Sequence, residues 1–170
     1  MSTAAMRYVD PLLMELDRES ANTRKLLERL PEAKLSFKPH PKSFTLAQLA
    51  THVATLPDWG SALAGEGFDI ATAPAPGEPP KTVAEILAKH DGAVKAGKAA
   101  IARMDNDEAM KPWTLRKGGQ ELFSIPKIAV VRGFILNHLI HHRGQLTVYL
   151  RLLDVPLPPI FGPTADESPF

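Results

Sequence analysis

Starting at Ile128, the positions Ile128, Val131, Ile135, His138, His142, Gln145, Tyr149 and Leu152 recur alternately three and four apart. That is the spacing of one face of a helix packed among other helices. The run, over residues 126–154, is the longest apolar-periodic stretch of the chain, so it commits the chain to a helical scaffold. That scaffold has to accept imidazoles on its inward face. Within it, Asn137-His138-Leu139-Ile140-His141-His142-Arg143-Gly144-Gln145 carries three of the six histidines. Residues four apart on a helix lie one turn from each other, about 5–6 Å between Cβ atoms, so His138 and His142 can reach one ion. His141 is turned about 100° from His142 and points elsewhere. A buried imidazole needs partners for both ring nitrogens. Hydrogen bonds to carbonyls or hydroxyls would serve, and so would a divalent metal taking one lone pair per ring, although a transition-metal site uses three or four ligands.

Three further segments repeat the alternation. Asp10 before Pro11 predicts an N-cap with proline at the first helical position. Leu13, Leu16, Ser20, Thr23, Leu27 and Leu30 then carry a helix over residues 11–30, with Ser20 and Thr23 bonding back to their own helix or facing a polar pocket in the bundle centre. Pro31, Pro39 and Pro41 mark 31–42 as a loop. Thr45 and Gln48 form a capping box that opens the second helix, with Leu46, Leu49, Val53, Leu56 and Leu63 inward and Pro57 kinking it or ending its first part. His52 falls on that inward face, a third candidate ligand from a second helix. Residues 65–81, rich in Gly and Pro, predict a long crossover that lets the second and third helices run parallel and could border a pocket. Thr82 and Glu85 cap the third helix, whose seam is Val83, Leu87, His90, Val94, Gly97, Ile101 and Met104. His90 reads first as a core or ligand-supporting residue and only second as a ligand.

Between residues 105 and 125 the pattern breaks at Pro112, Trp113, Gly118 and Gly119, which predicts a short irregular or hairpin-like segment. Ser124 is expected to cap the fourth helix at about residue 125. After Asp154 the prolines exclude a helix, and Ile160 and Phe161 are placed to pack across the end of the bundle. The expectation is an all-α fold, a four-helix bundle forming a single domain over residues 1–170.

Lys plus Arg number 20 and Asp plus Glu 19, a net charge of +1. Such near neutrality gives no electrostatic case for nucleic acid or an anionic membrane. With no cysteine, a disulfide framework is excluded and a transition-metal site must rest on His and carboxylate. The start, MSTAAMRYVD, lacks the basic and apolar regions of a signal peptide, and no run reaches the roughly 18–20 apolar residues of a membrane helix. A cytoplasmic, unexported protein is the expectation.

The chain resembles the DinB-like family, damage-inducible bundle proteins related to bacterial thiol-dependent S-transferases. The resemblance rests on Leu49-Ala50-Thr51-His52 followed by Trp59, on Asn137-His138-x-x-x-His142-Arg143-Gly144-Gln145, and on the tail Val155-Pro156-Leu157-Pro158 with Phe161-Gly162-Pro163-Thr164-Ala165-Asp166-Glu167. It implies an up-down-down-up bundle in which His52, His138 and His142 hold a divalent metal, zinc or nickel, and in which two copies often pair as a homodimer. Some relatives transfer low-molecular-weight thiols such as mycothiol or bacillithiol onto electrophiles. The family's damage-inducible label describes how relatives are induced and implies no DNA binding.

Three imidazoles leave metal positions open, the arrangement of a catalytic rather than a purely structural site. The chemistry expected is Lewis-acid activation of an external thiol or water. Gln145, one turn beyond His142, is the candidate catalytic residue, supporting bound solvent or a ligand ring. A buried amide bonded to a neighbouring backbone is the alternative. Arg143 is expected in an interhelical or dimer-interface ion pair, and His141 in a supporting or surface role. A metal-dependent thiol transferase or hydrolase is one reading; a non-enzymatic metal-binding protein of stress response or sensing is another. The plainest reading leaves the histidines as core polar groups.

Overall fold

A computed structural model describes residues 6–75 and 77–168; what was read at residues 1–5, at position 76 and at 169–170 lies outside it. Helix α1 spans Asp10–Leu27. Asp10 is its first residue rather than its cap, because the Asp10 carboxylate turns back to accept from the Arg7 backbone N–H (2.8 Å) and Nε–H (3.0 Å). Helix α2, Leu46–Thr55, starts from the expected capping box, in which the Thr45 Oγ1 accepts from the Gln48 N–H and the Gln48 Oε1 from the Thr45 N–H. Pro57 ends α2 by forcing a 3-10 turn at Leu56–Asp58, after which α3 runs over Trp59–Ala62. Strand β1 is Gly67–Asp69, and α4 is Val83–Ile101 behind a Thr82 cap. The Glu85 carboxylate accepts from the Lys81 N–H rather than from Thr82, so this cap is not a reciprocal box.

Next come α5 (Asn106–Met110), β2 (Pro112–Lys117), β3 (Gln120–Pro126), α6 (Lys127–Val130), a π-helical segment (Val131–Asn137) and α7 (His138–Leu152). The all-α expectation is thereby corrected: the fold is not a pure four-helix bundle but carries a three-stranded mixed sheet in the order β1-β2-β3. The β2–β3 hairpin agrees with the broken pattern, its turn made by Gly118 and Gly119 at positive φ, 60° and 81°. Strand β1 was hidden inside the Gly- and Pro-rich crossover. It pairs parallel to β2 (Gly67 with Thr114, Phe68 with Leu115, Asp69 with Arg116), a long-range contact with no local signal. Ser124, expected as a helix cap, sits in β3 opposite Thr114, their hydroxyls 3.1 Å apart.

Two apolar clusters result. One joins Leu26, Leu27, Leu46, Leu49, Val53 and Ile86 to Leu139, Leu146 and Leu150. The other joins Leu16, Ile101, Trp113, Leu115, Val131, Ile135 and Leu136, so the sheet is welded to the helices through Trp113, whose Nε1–H donates to the Ala62 carbonyl (3.0 Å). Trp59 packs against both. Where the Leu56–Asp58 turn and α3 cross α4 the backbones nearly touch: a Cβ on Gly97 would lie 1.9 Å from the Pro57 carbonyl oxygen. Among the described residues no helix is long and apolar enough to cross a membrane.

Candidate metal centre

Helix α2 delivers His52, and α7 delivers His138 and His142 one turn apart. The three side chains offer nitrogens that all lie within 4.8 Å of one another. The His138 Nε2 is 3.3 Å from the His52 Nε2 and 2.9 Å from the His142 Nε2. Two nitrogens bound tetrahedrally to one ion at about 2.0–2.1 Å stand roughly 3.3 Å apart, so the spacing suits a shared cation. All three residues are half-buried.

The proton inventory points the same way. The Gln145 Oε1 accepts from the His142 Nδ1 at 2.7 Å, while the Gln145 Nε2 donates to the His141 Nε2 at 3.2 Å. A neutral His142 that donates from Nδ1 has a bare lone pair on Nε2, facing the other rings. Burial, then the neighbouring His142 and His138, push the His52 pKa down to about 4. His138 is also lowered, first by burial and then by His142, against the opposing pull of the Phe134 backbone carbonyl that accepts from it. His52 and His138 are therefore uncharged at neutral pH. Uncharged rings keep lone pairs that a cation can take.

The surroundings are aromatic on two sides, Phe44 against His52 and Phe134 against His138, with ring centroids 6.2 and 6.3 Å apart. Beside the rings an open groove of ≈ 410 Å³ is lined by Phe44, Leu49, Val148 and Tyr149, with Lys42, Ser43, His142 and Gln145. The 42–44 loop borders this groove. The 65–81 connection instead helps line a different hollow, through Phe68 and Pro74.

Sequence periodicity placed the histidines on the core seam, and here the structure differs. Past the π segment the buried residues of α7 are Leu139, Arg143, Leu146 and Leu150. Each stands one position after the expected His138, His142, Gln145 and Tyr149, and Gln145 and Leu152 are exposed. A π turn carries an extra residue, which rotates the following helix by about one position, roughly 100°. The histidines thus flank the core and face α2. The leucines at 139, 146 and 150 carried this signal in the sequence, but Arg143 among them disguised it.

Arg143 is 2 % exposed, and its Nη2–H donates to Glu19 Oε2 at 2.6 Å. The expected interhelical pair is thus present, although nothing local marked Glu19 as its partner. Thr23 bonds back to the Glu19 carbonyl, as its helix position suggested, and also accepts from the Arg143 Nη1 at 3.3 Å. His90 does not join the three. It is buried between α1 and α4 with Nδ1 3.3 Å from Asp91 Oδ1, and its pKa is lowered mainly by burial. His141 is exposed and touches the centre only through Gln145 and its ring contact with His142.

Three imidazoles from two helices, beside an open groove, define a helical protein whose histidine centre could hold a divalent transition ion. The chain belongs to the DinB superfamily, whose profile matches residues 15–146. It is similar to an uncharacterised protein, YrdA, of Bacillus subtilis strain 168, with 27% identity over 161 residues, covering 94% of this chain and 91% of that one. Among solved structures, a DinB-like protein of Bacillus cereus ATCC 10987 matches with a TM-score of 0.69 and 23% identity, covering 90% of this chain and 97% of that one. A DinB-like protein of Bacillus subtilis, YjoA, matches at 0.68 and 16%, covering 89% and 98%. At those identities the two structures establish likeness of fold.

Proposed function

We propose that this protein holds one zinc or nickel ion on His52, His138 and His142 and uses it to activate a low-molecular-weight thiol, or water, for transfer to a small electrophile. The observation that carries the reading is the convergence of one ring nitrogen from each of His52, His138 and His142 to within 4.8 Å of one another. A divalent ion with open positions supplies Lewis acidity, lowering the pKa of an incoming thiol or water. The chain's own residues do the rest. Burial keeps His52 and His138 neutral and ready to ligate, and Gln145 fixes the tautomer of His142. The apolar wall of Phe44, Leu49, Val148 and Tyr149 receives the body of the substrate. Because the chain has no cysteine, the thiol comes from a cosubstrate. Pairing of two copies belongs to the same reading and is checked by light scattering.

The test has two stages. Elemental analysis of protein purified without an affinity tag reads the ion, and melting with added zinc or nickel reads its coupling to the fold. A ligand at 1,000 times its dissociation constant adds about 4 kcal/mol, which for a chain of this size raises Tm by about 8–16 °C. The His138→Ala protein should show no such rise. Turnover is then assayed with mycothiol, bacillithiol and water as nucleophiles. Turnover that survives complete chelation, or His142→Ala, refutes the enzymatic reading; bound metal without any turnover leaves a metal-binding protein.

A further inference from the structure

The histidines face α2 only because α7 is turned to one particular angle, and apolar packing alone does not fix that angle finely. Leu139, Leu146 and Leu150 are fully buried, but leucines tolerate small rotations by changing rotamer. A guanidinium fork is directional. The Arg143 fork binds three acceptors on α1 at once: the Glu19 carboxylate (2.6 Å), the Glu19 carbonyl (3.0 Å) and the Thr23 hydroxyl (3.3 Å). The side chains of Arg143 and Glu19 are 3 % and 0 % exposed. Over the guanidinium lies the Phe161 ring, 5.4 Å to its centroid. The segment bearing Phe161 is tied down by the Arg151–Asp166 and Arg29–Glu167 ion pairs.

We infer that Glu19 and Arg143 are positioning residues for the metal centre: a buried ion pair that locks the rotation of α7 and thereby aims His138 and His142 at His52. The inference rests on the metal reading given above. Arg143 directly follows His142, so any rotation that relaxes the pair moves the ligands. At about 5–6 Å from the helix axis, a rotation of roughly 20° carries an atom about 2 Å, a full metal–nitrogen bond length. The π segment just before α7 makes the lock necessary, since it separates the phase of α7 from that of α6. Burial strengthens the lock, because rotating Arg143 away leaves the sealed Glu19 carboxylate only the solvent-facing Arg18 Nε, 3.1 Å from its other oxygen, as counter-charge.

The experiment measures zinc affinity by competition with a chelator, and the visible absorption of the cobalt-loaded protein, after circular dichroism has shown that each variant is folded. Wild type is scored first, and absence of zinc binding there would refute the metal reading itself. The double variant Glu19→Leu/Arg143→Met removes the pair without stranding a charge. It should fold, bind zinc at least about 10-fold more weakly and show an altered cobalt band. Arg143→Lys keeps the charge but loses the fork, so it should weaken zinc binding by a smaller factor, and it carries the test if the double variant does not fold. Glu15→Gln is the control: it breaks the exposed Glu15–Arg132 pair between α1 and the π segment, and should leave zinc affinity unchanged. A folded double variant, or a folded Arg143→Lys, with wild-type affinity and cobalt spectrum overturns the inference.

Discussion

Two glycines on one helix give a controlled measurement of how closely α4 approaches the segment that follows α2. Gly92 and Gly97 both lie inside α4, so replacing either with alanine gains the same helix propensity, about 0.5–1 kcal/mol. Their surroundings differ. A Cβ on Gly92 meets nothing within 4 Å, whereas on Gly97 it would meet the Pro57 carbonyl oxygen at 1.9 Å and its carbon at 2.8 Å. Real Cβ atoms essentially never approach closer than 3.0 Å, so the crossing must open by about 1.1 Å. Backbone provides both sides of the contact, because Gly60 faces the Gly97 backbone with a Cβ position only 2.7 Å from its carbonyl oxygen. No flexible side chain can yield, and the upper end of the usual 1–3 kcal/mol overpacking cost applies. Gly92→Ala is therefore expected to stabilise the protein by about 0.5–1 kcal/mol, and Gly97→Ala to destabilise it by about 2 kcal/mol after its propensity gain. Urea titration followed by circular dichroism, and by the fluorescence of Trp59 and Trp113, reads both. If the two variants agree within about 0.5 kcal/mol, the close approach is not a feature of the folded protein and the reasoning fails.

Two smaller perturbations test the ends of the scaffold. Thr45→Ala removes the acceptor of one capping-box bond and should cost about 1 kcal/mol in the same titration; no loss would mean that the start of α2 is held by packing alone. The Asp166 carboxyl is held down to about 2, first by the Arg151 guanidinium and then by the Leu157 N–H, from an ordinary value of 3.8. Because its folded-state pKa is depressed, its contribution is complete above about 3.8 and is lost as pH falls through about 2. Nuclear magnetic resonance of the Phe161 ring should follow that loss, with a midpoint near 2. A midpoint at the ordinary value would show the Arg151–Asp166 pair to be absent in solution.

Local chemistry made much of this protein legible from its residues. The Thr45–Gln48 box, the Thr82 cap, the break at Pro57 and the Gly118–Gly119 turn depend on neighbours a few positions apart, and each stands where the sequence places it. The i, i+4 spacing of His138 and His142 likewise fixed that the pair shares one side of a helix. What failed depends on distant partners. Strand β1 exists because Gly67 meets Thr114, and Glu19 is buried because Arg143 reaches it from the other end of the chain. The α7 face was misjudged for a related reason: periodicity assumes an unbroken α-helix, and the π segment is an interruption that no residue type announces. By itself, then, the sequence determined which residues could ligate and which helices would carry them, because helical pitch and capping are short-range. Tertiary structure alone decided that His52 meets the other two, and at what angle, because helix rotation is set by contacts between elements far apart in the chain.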